Sequence, residues 1–312
     1  MGLWCAPEHS SASSRMYAGR VVLVVLPTCA KIAPVDDLNI AIAELSRIAG
    51  MNPGQTTRVG RWTVLEWPQL ESTNSMALRA LKSVPAKSLD HLAITTHLQT
   101  AGRGQQQRIW SQSHDADLAL TLVLESHLPA ALPFSLNLAV SLSVLQAIEA
   151  TLPKLRGSDL EIKWPNDIMW KGRKAGGILI ENNWRGNAWA STVIGIGLNL
   201  CGTPPFPNAT SLNLSGNDPN ELAALRQQLI EAVATTLDSR LAELHHPDAL
   251  LRQYHERLHG WGKPQRWQLD GTEVRGILES IDLDGRLCVN ENGVSHCFSP
   301  GEVGWLGMEP NT

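Results

Sequence analysis

Two short apolar runs, residues 92–98 and 118–124, flank a loop that no packed core could accept. Each run is aliphatic, the first with β-branched Ile94, Thr95 and Thr96, and each has the length of a strand. Between them stands Gln99-Thr-Ala-Gly-Arg-Gly-Gln-Gln-Gln-Arg-Ile-Trp110, with paired glycines, paired arginines, a run of glutamines and no apolar periodicity. A segment this polar between two buried strands has to lie at the surface. Arg103 and Arg108 supply fixed charge and planar donor forks suited to phosphate or carboxylate. Gly102 and Gly104 let backbone approach a ligand closely. On these residues alone, an anion cradle and a solvated hairpin loop explain the pattern equally well.

The rest of the chain mixes helical and strand periodicities. Residues 36–49 place Leu38, Ile42, Leu45 and Ile48 on one helical face, and Asn52-Pro53-Gly54 ends that helix. Residues 61–67 read as a strand. Ser72, Thr73 and Asn74 stand before the helical run 76–81; one of them suffices as the N-cap, and the three together form a polar cluster able to hold a ligand head. Residues 134–150 are apolar on nearly every side, the pattern of a buried helix. Residues 160–164 form a strand stopped by Pro165. Gly176 and Gly177 open a strand at 178–180, and Gly195 and Gly197 interrupt another over 189–200, where glycine marks close approach of a ligand or backbone. A loop rich in Pro, Asn, Ser and Gly follows over 203–220. Residues 221–244 then read as a long amphipathic helix with Leu222, Leu225, Leu229 and Val233 as its stripe.

From residue 263 the pattern changes to short strands at 266–269, 274–280, 286–289 and 294–298, separated by turns at Asp270-Gly271, Asp284-Gly285 and Asn292-Gly293. That spacing predicts a small β-barrel or curled sheet. Three regions result: a weakly patterned, partly disordered leader over 1–60, a mixed α/β body over 61–262, and an all-β tail over 263–312. The apolar segment 21–26 ends at Pro27 and reads as a short strand or loose leader rather than a signal peptide.

Composition excludes several classes. The 312 residues carry a formal charge of −4, and the pI near 6.2 leaves no basic footprint for nucleic acid. The leader shows one amphipathic helix, too few for a helix-turn-helix or a convincing winged helix. No apolar run approaches the ~20 residues of a membrane span. Cys5, Cys29, Cys201, Cys288 and Cys297 are odd in number, scattered and without a CxxC pair, which argues against a disulfide framework or zinc site and for a reducing cytosol. His97, His114, His127 and the pair His245-His246 lack ligand spacing, so no metal site is expected.

Lys163-Trp-Pro-Asn-Asp167 ends a strand with a cation and an acid, and Pro165 can fix a turn that aims both into one cleft. Arg173-Lys174 precedes Ala175-Gly176-Gly177, and Gly195-Ile-Gly-Leu-Asn199 ends in an amide. Each motif alone is weak. Their order, STN, QxAGRGxxxRxW, KWPND, RKxGGILIE and GIGLN ahead of a β-tail, resembles the biotin–protein ligase family over residues 62–306.

The resemblance implies an α+β fold: a mixed β-sheet flanked by helices, the class II synthetase-like catalytic fold shared with lipoate ligases and octanoyltransferases, followed by an SH3-like barrel. It implies a cytoplasmic, ATP- and Mg²⁺-dependent ligase that forms biotinyl-5'-AMP and biotinylates a lysine of a biotin carboxyl-carrier protein domain. Such an enzyme, in a form lacking the family's N-terminal DNA-binding domain, would be a monomer or homodimer with no nucleic-acid or membrane partner. The alternatives are a lipoate or octanoate ligase or transferase of the same fold, or a biotin-sensing repressor. Carried over by motif, Ser72, Thr73, Asn74 and Gln99 would bind the ureido ring and neighbouring parts of biotin. Arg103, Gly104 and Gln105, with Gly102 beside them, would cover the adenylate. Lys174, beside Gly177, would hold the biotin carboxylate; Lys163 and Arg108 would neutralise ATP phosphates; Asp167 would accept the lysine proton. Asn199 would contact the adenine side, with Gly197 in its motif, and Trp110 would wall the site.

Relatives often carry Arg then Gly inside the loop, where this chain has Gln105, Gln106 and Gln107. Replacing a charge-assisted bond with a neutral one weakens the hold on the adenylate. Gln105→Arg should therefore slow adenylate dissociation, timed on preloaded protein; an unchanged rate would remove this explanation.

Overall fold

Residues 13–17, 20–24, 35–125, 133–157, 159–212 and 218–308 are described by the computed structural model. β1 (Ser13–Tyr17) and β2 (Arg20–Val24) pair with each other, so the apolar segment is a strand through Val24, and residues 25–27 lie outside the described set. Next come α1 (Val35–Ala49), β3 (Gln55–Val59), β4 (Trp62–Leu70), α2 (Thr73–Ala80) and β5 (Leu92–Gln99). The short strands β6 (Gly102–Arg103) and β7 (Ile109–Trp110) form a hairpin of their own before β8 (Leu118–Glu125) and α3 (Pro133–Thr151). β9 (Leu160–Lys163), β10 (Asp167–Trp170), β11 (Arg173–Arg185) and β12 (Ala188–Leu198) precede α4 (Pro219–Leu241) and α5 (Pro247–Glu256). The tail holds β13 (Pro264–Leu269), β14 (Thr272–Ile281), β15 (Leu287–Glu291), β16 (Val294–Phe298) and β17 (Val303–Met308).

One eight-stranded sheet runs in the order β3-β4-β5-β8-β12-β11-β10-β9. It is mixed, because β4 and β5 pair in parallel while their neighbours are antiparallel. Strand alternation divides its side chains between two faces. On β8, Leu118, Leu120, Leu122 and Leu124 join the core formed with α3 and α4, while Val123 packs with α1 and α2 on the other face. On β12, Ile194, Ile196 and Leu198 go one way and Val193 the other.

α3 is buried nearly all round between the sheet, α4 and α5, as its pattern predicts. By length and composition α3 could cross a membrane, which corrects the reading that no apolar run is long enough; 67% of its most apolar window is buried inside the fold, so it is a core helix here. α4 buries Leu229 and Val233 of the expected stripe together with Arg226, whose guanidinium reaches Glu66 at 2.5 Å and the Thr96 carbonyl at 2.9 Å.

Residues 35–59 do more than a leader would. Ala41 and Leu45 of α1 are fully buried in the cluster that holds Leu65, Trp67 and Met76, and β3 is an edge strand of the main sheet. The alternation of β3 is too polar to announce itself in sequence.

The tail is a five-stranded antiparallel sheet in the order β16-β15-β14-β13-β17, one strand more than its turn signals marked. β15 and β16 place Cys288 opposite Cys297, with Cα atoms 4.1 Å apart and a disulfide between them. This overturns the expectation of no disulfide: cross-strand register, invisible in cysteine spacing, brings the two together. The compartment argument drawn from cysteine usage therefore falls away.

Candidate active site

The sheet face beneath α2 is filled at one end and hollow at the other. Beyond Val123 and Val193, the same face presents Thr121 and Ala119 on β8, and Gly195 and Gly197 on β12. Register sets Gly177 beside Gly197, and Gly197 beside Ala119. This row of minimal side chains floors a cavity of about 960 Å³, large enough for a cofactor-sized ligand. Trp110 lies along the row: a Cβ on Gly197 would overlap its indole, and one on Gly177 would stand 3.5 Å from it. The Trp110 indole nitrogen is buried without a hydrogen-bond partner among the described residues. A Cβ on Gly195 would collide with the Asn74 amide. The strand glycines thus mark close approach, as their sequence positions suggest.

One end of the cavity is neutral and rich in hydrogen bonds. Ser72 caps α2 by accepting from the Ser75 amide at 3.3 Å. The Thr73 amide donates to Gln99 Oε1 at 2.9 Å, and the Thr121 hydroxyl stands 2.7 Å from Thr73 Oγ1 and 2.6 Å from Asn74 Oδ1. Asn74 Nδ2 donates to Glu181 Oε2 at 3.0 Å, and Arg103 Nη2 donates to Glu181 Oε1 at 2.9 Å. Glu181 thereby fastens the glycine–arginine loop to the first turn of α2. Sequence reasoning assigned it no role, although it follows Gly177 and Leu179 at strand spacing, which places it on the cavity's face.

The other end is cationic. Pairing of β9 with β10 sets Lys163 opposite Asp167, and pairing of β10 with β11 sets Asp167 opposite Gly177. Lys163 Nζ lies 2.9 Å from Asp167 Oδ2, and Lys174 Nζ lies 2.5 Å from Oδ1. Burial pushes the Asp167 pKa up, but the Lys174 and Lys163 ammoniums outweigh it and hold the carboxyl below its ordinary 3.8. The group is therefore a carboxylate at neutral pH. α5 supports the motif from below: Tyr254 is fully buried and donates to the Pro165 carbonyl at 3.4 Å, and burial, then the Asp167 charge, raises its pKa so that it stays a neutral phenol. The Trp164–Pro165 peptide is cis.

Arg103 and Arg108 differ. Glu181 neutralises Arg103, whereas Arg108 is exposed at the cavity wall and has no anionic partner among the described residues. Gly104 and Gln105 also line the cavity. Gly102 does not: it is buried, and a Cβ there would overlap the Trp110 carbonyl, so its smallness serves the β6–β7 pairing rather than a ligand. Asn199 is at the wall, but its amide donates to the Thr210 carbonyl at 3.1 Å and fastens the 208–212 segment. His97 pairs with Glu66 away from the cavity, and His127 lies outside the described residues.

The model of the biotin/lipoate A/B protein ligase family matches residues 67–199. The biotin–[acetyl-CoA-carboxylase] ligase of Mycobacterium tuberculosis is 31% identical over 248 residues, covering 76% of this chain and 89% of the relative. The chain belongs to this family. The bifunctional ligase/repressor BirA of Bacillus subtilis is 33% identical over 209 residues, covering 64% of this chain and 62% of that protein. Among solved structures, a biotin protein ligase from Aquifex aeolicus in complex with biotin and ATP superposes with a TM-score of 0.59 at 19% identity, over 78% of this chain and 98% of the other. That likeness shows the fold of the family: a mixed sheet flanked by helices with a small β-domain behind it.

Asp167 makes a pH signature. A depressed carboxyl pKa stabilises the fold above the unfolded value of 3.8, and that contribution is lost as pH falls through the lower folded value. The stability difference between wild type and Asp167→Asn, measured by urea unfolding from pH 7 to 3, should therefore be largest at neutral pH and shrink below about pH 4. A difference constant across that range would contradict the ion-paired carboxylate.

Proposed function

We propose that this chain is an ATP-dependent biotin–protein ligase that converts biotin to biotinyl-5'-AMP and transfers biotin to a lysine of a carboxylase carrier domain. The observation that carries the reading is one cavity with two chemically opposite ends: neutral donors and acceptors around Thr73, Asn74 and Gln99, and two ammoniums around Asp167. Biotin has the matching shape, a ureido head with two N–H donors and a carbonyl acceptor, an apolar middle and a carboxylate tail. A dithiolane head offers no N–H or carbonyl to meet this polar cluster, and sites built for hydrogen bonding discriminate strongly against heads that lack those groups. The names of the relatives agree with biotin as substrate.

Ser72, Thr73, Asn74 and Gln99 take the ureido head, and Trp110, packed on Gly177 and Gly197, walls the apolar middle. Lys174 meets the carboxylate; Lys163 and Arg108 meet the ATP phosphates. In the first step a biotin carboxylate oxygen attacks the α-phosphorus, and the bond to pyrophosphate breaks. Two anions have to approach each other, so fixed cations screen them and stabilise the charge that develops. Mg²⁺ enters as the ATP complex; both Asp167 oxygens are engaged by lysines, so that carboxylate is not a free metal ligand. In the second step the carrier lysine attacks the acyl carbon and AMP leaves. With a pKa near 10.4, only about one free lysine in a few thousand is neutral at pH 7. Asp167 accepts a hydrogen bond from the incoming amine through a remaining lone pair and orients it; its lowered pKa keeps it from retaining the proton, which goes to water as AMP leaves. Arg103, Gly104 and Gln105 cover the adenylate, and Asn199 shapes the adenine side.

We assign this chemistry to a catalytic unit over 61–262 with 263–312 as the SH3-like domain, and place the enzyme in the cytoplasm, with its carrier, as a monomer or homodimer. Incubation with ATP, Mg²⁺, biotin and a carrier domain, read by streptavidin blot, should label the carrier, and Lys174→Ala should lose at least 100-fold of the rate, on the order of one buried oxyanion-stabilising group. Undiminished labelling by the variant would sink the assignment.

A further inference from the structure

Lys163 closes β9, a four-residue strand at the edge of the sheet. On its outer side β9 is bridged at Ile162 by the 257–259 segment, but the lysine side chain itself keeps four rotatable bonds. The tail supplies the confinement. Trp305 of β17 places its ring face 4.8 Å from Lys163 Nζ, the same ammonium that the Asp167 carboxylate holds at 2.9 Å. The indole is fixed on its other sides. Its N–H donates to Gln265 Oε1 at 2.7 Å, and Gln265, buried to 2% exposure, donates in turn to the Gly260 carbonyl at 2.7 Å. The His259 ring meets it edge to face at 5.6 Å and 73°. Gly260 sits at φ +74, where a side chain would be strained, and a Cβ would overlap Gln265. The turn leading into the tail thus holds Gln265, Gln265 holds Trp305, and Trp305 faces Lys163.

We propose that Trp305 is a positioning residue for the first half-reaction: it orients the Lys163 ammonium toward the ATP phosphates by a cation–π contact made from the tail domain. The inference rests on the reading of Lys163 as an ATP-phosphate cation. A ring face attracts an ammonium without neutralising it, unlike a second carboxylate. The contact therefore restricts the lysine's conformations while leaving its charge available to the nucleotide.

The test uses the full chain and biotin-dependent exchange of pyrophosphate into ATP. Trp305→Leu, which removes the ring face, should raise the half-saturating ATP concentration about tenfold, on the scale of a partly desolvated cation–π contact, with the biotin value unchanged. Trp305→Phe keeps a face and should recover most of the loss. In a Lys163→Met background, Trp305→Leu should add nothing, because the two act through one ammonium. Should Trp305→Leu lose its thermal unfolding transition, Trp305→Phe carries the comparison, with about a threefold rise that vanishes beside Lys163→Met. An equal effect with and without Lys163, a parallel change in the ATP and biotin values, or no change in either Trp305 variant overturns the inference. An unchanged ATP value in Lys163→Met alone overturns the reading of Lys163, and the inference with it; a raised value there with silent Trp305 variants overturns the inference alone.

Discussion

Asp167 stands between two ammonium groups, and the cationic end of the cavity depends on that sharing. Without the carboxylate, Lys163 and Lys174 would repel each other across a gap that both side chains could easily widen. With it, three groups leave a net charge of +1 at a fixed point, 2.9 Å and 2.5 Å from the shared oxygens. The backbone decides that these groups meet. Lys163 and Asp167 face each other in a hairpin of four-residue strands, and Asp167 faces Gly177 in the next pairing, so strand register fixes the cluster to within a side-chain length. Burial of Tyr254 under Pro165 then keeps the hairpin from shifting.

The remainder of the cavity follows from what the same face omits. Where α1 and the body of α2 pack on the sheet, the strands carry valine and leucine; at the first turn of α2 and beyond it, the positions are Gly195, Gly197, Gly177 and Ala119. Trp110 and Asn74 occupy the room so created. The loop that carries Trp110 is held by Glu181, which spends the Arg103 charge on structure and leaves Arg108 free toward the cavity. The cavity therefore has one hydrogen-bonded, neutral end and one end with two ammoniums.

Much of this was legible in the chain. Strands 92–99 and 118–125 and the helix 133–151 declared themselves because each is buried over most of its length and is mainly apolar or β-branched there. The motif residues were recognisable because their order, and not any one of them, is improbable. What escaped was pairing at a distance. Glu181 gains its role from Asn74 and Arg103, 107 and 78 positions away. Trp305 meets Lys163, distant in the chain, only through the fold. Cys288 and Cys297 looked unrelated until the β15–β16 register set them opposite each other. Gly102 reads in sequence as a ligand-facing glycine, although the backbone of Trp110 fills the space beside it. Local periodicity reports burial; it carries no record of which distant partner supplies it.

The central claim is that this cavity joins a biotin carboxylate to ATP by itself, before any carrier protein is present. Exchange of labelled pyrophosphate into ATP, run with biotin, with lipoate and with neither, measures that step alone. Exchange that requires biotin and stays at background with lipoate is the expected result. Exchange that is absent with biotin, or equal with lipoate, would contradict the claim.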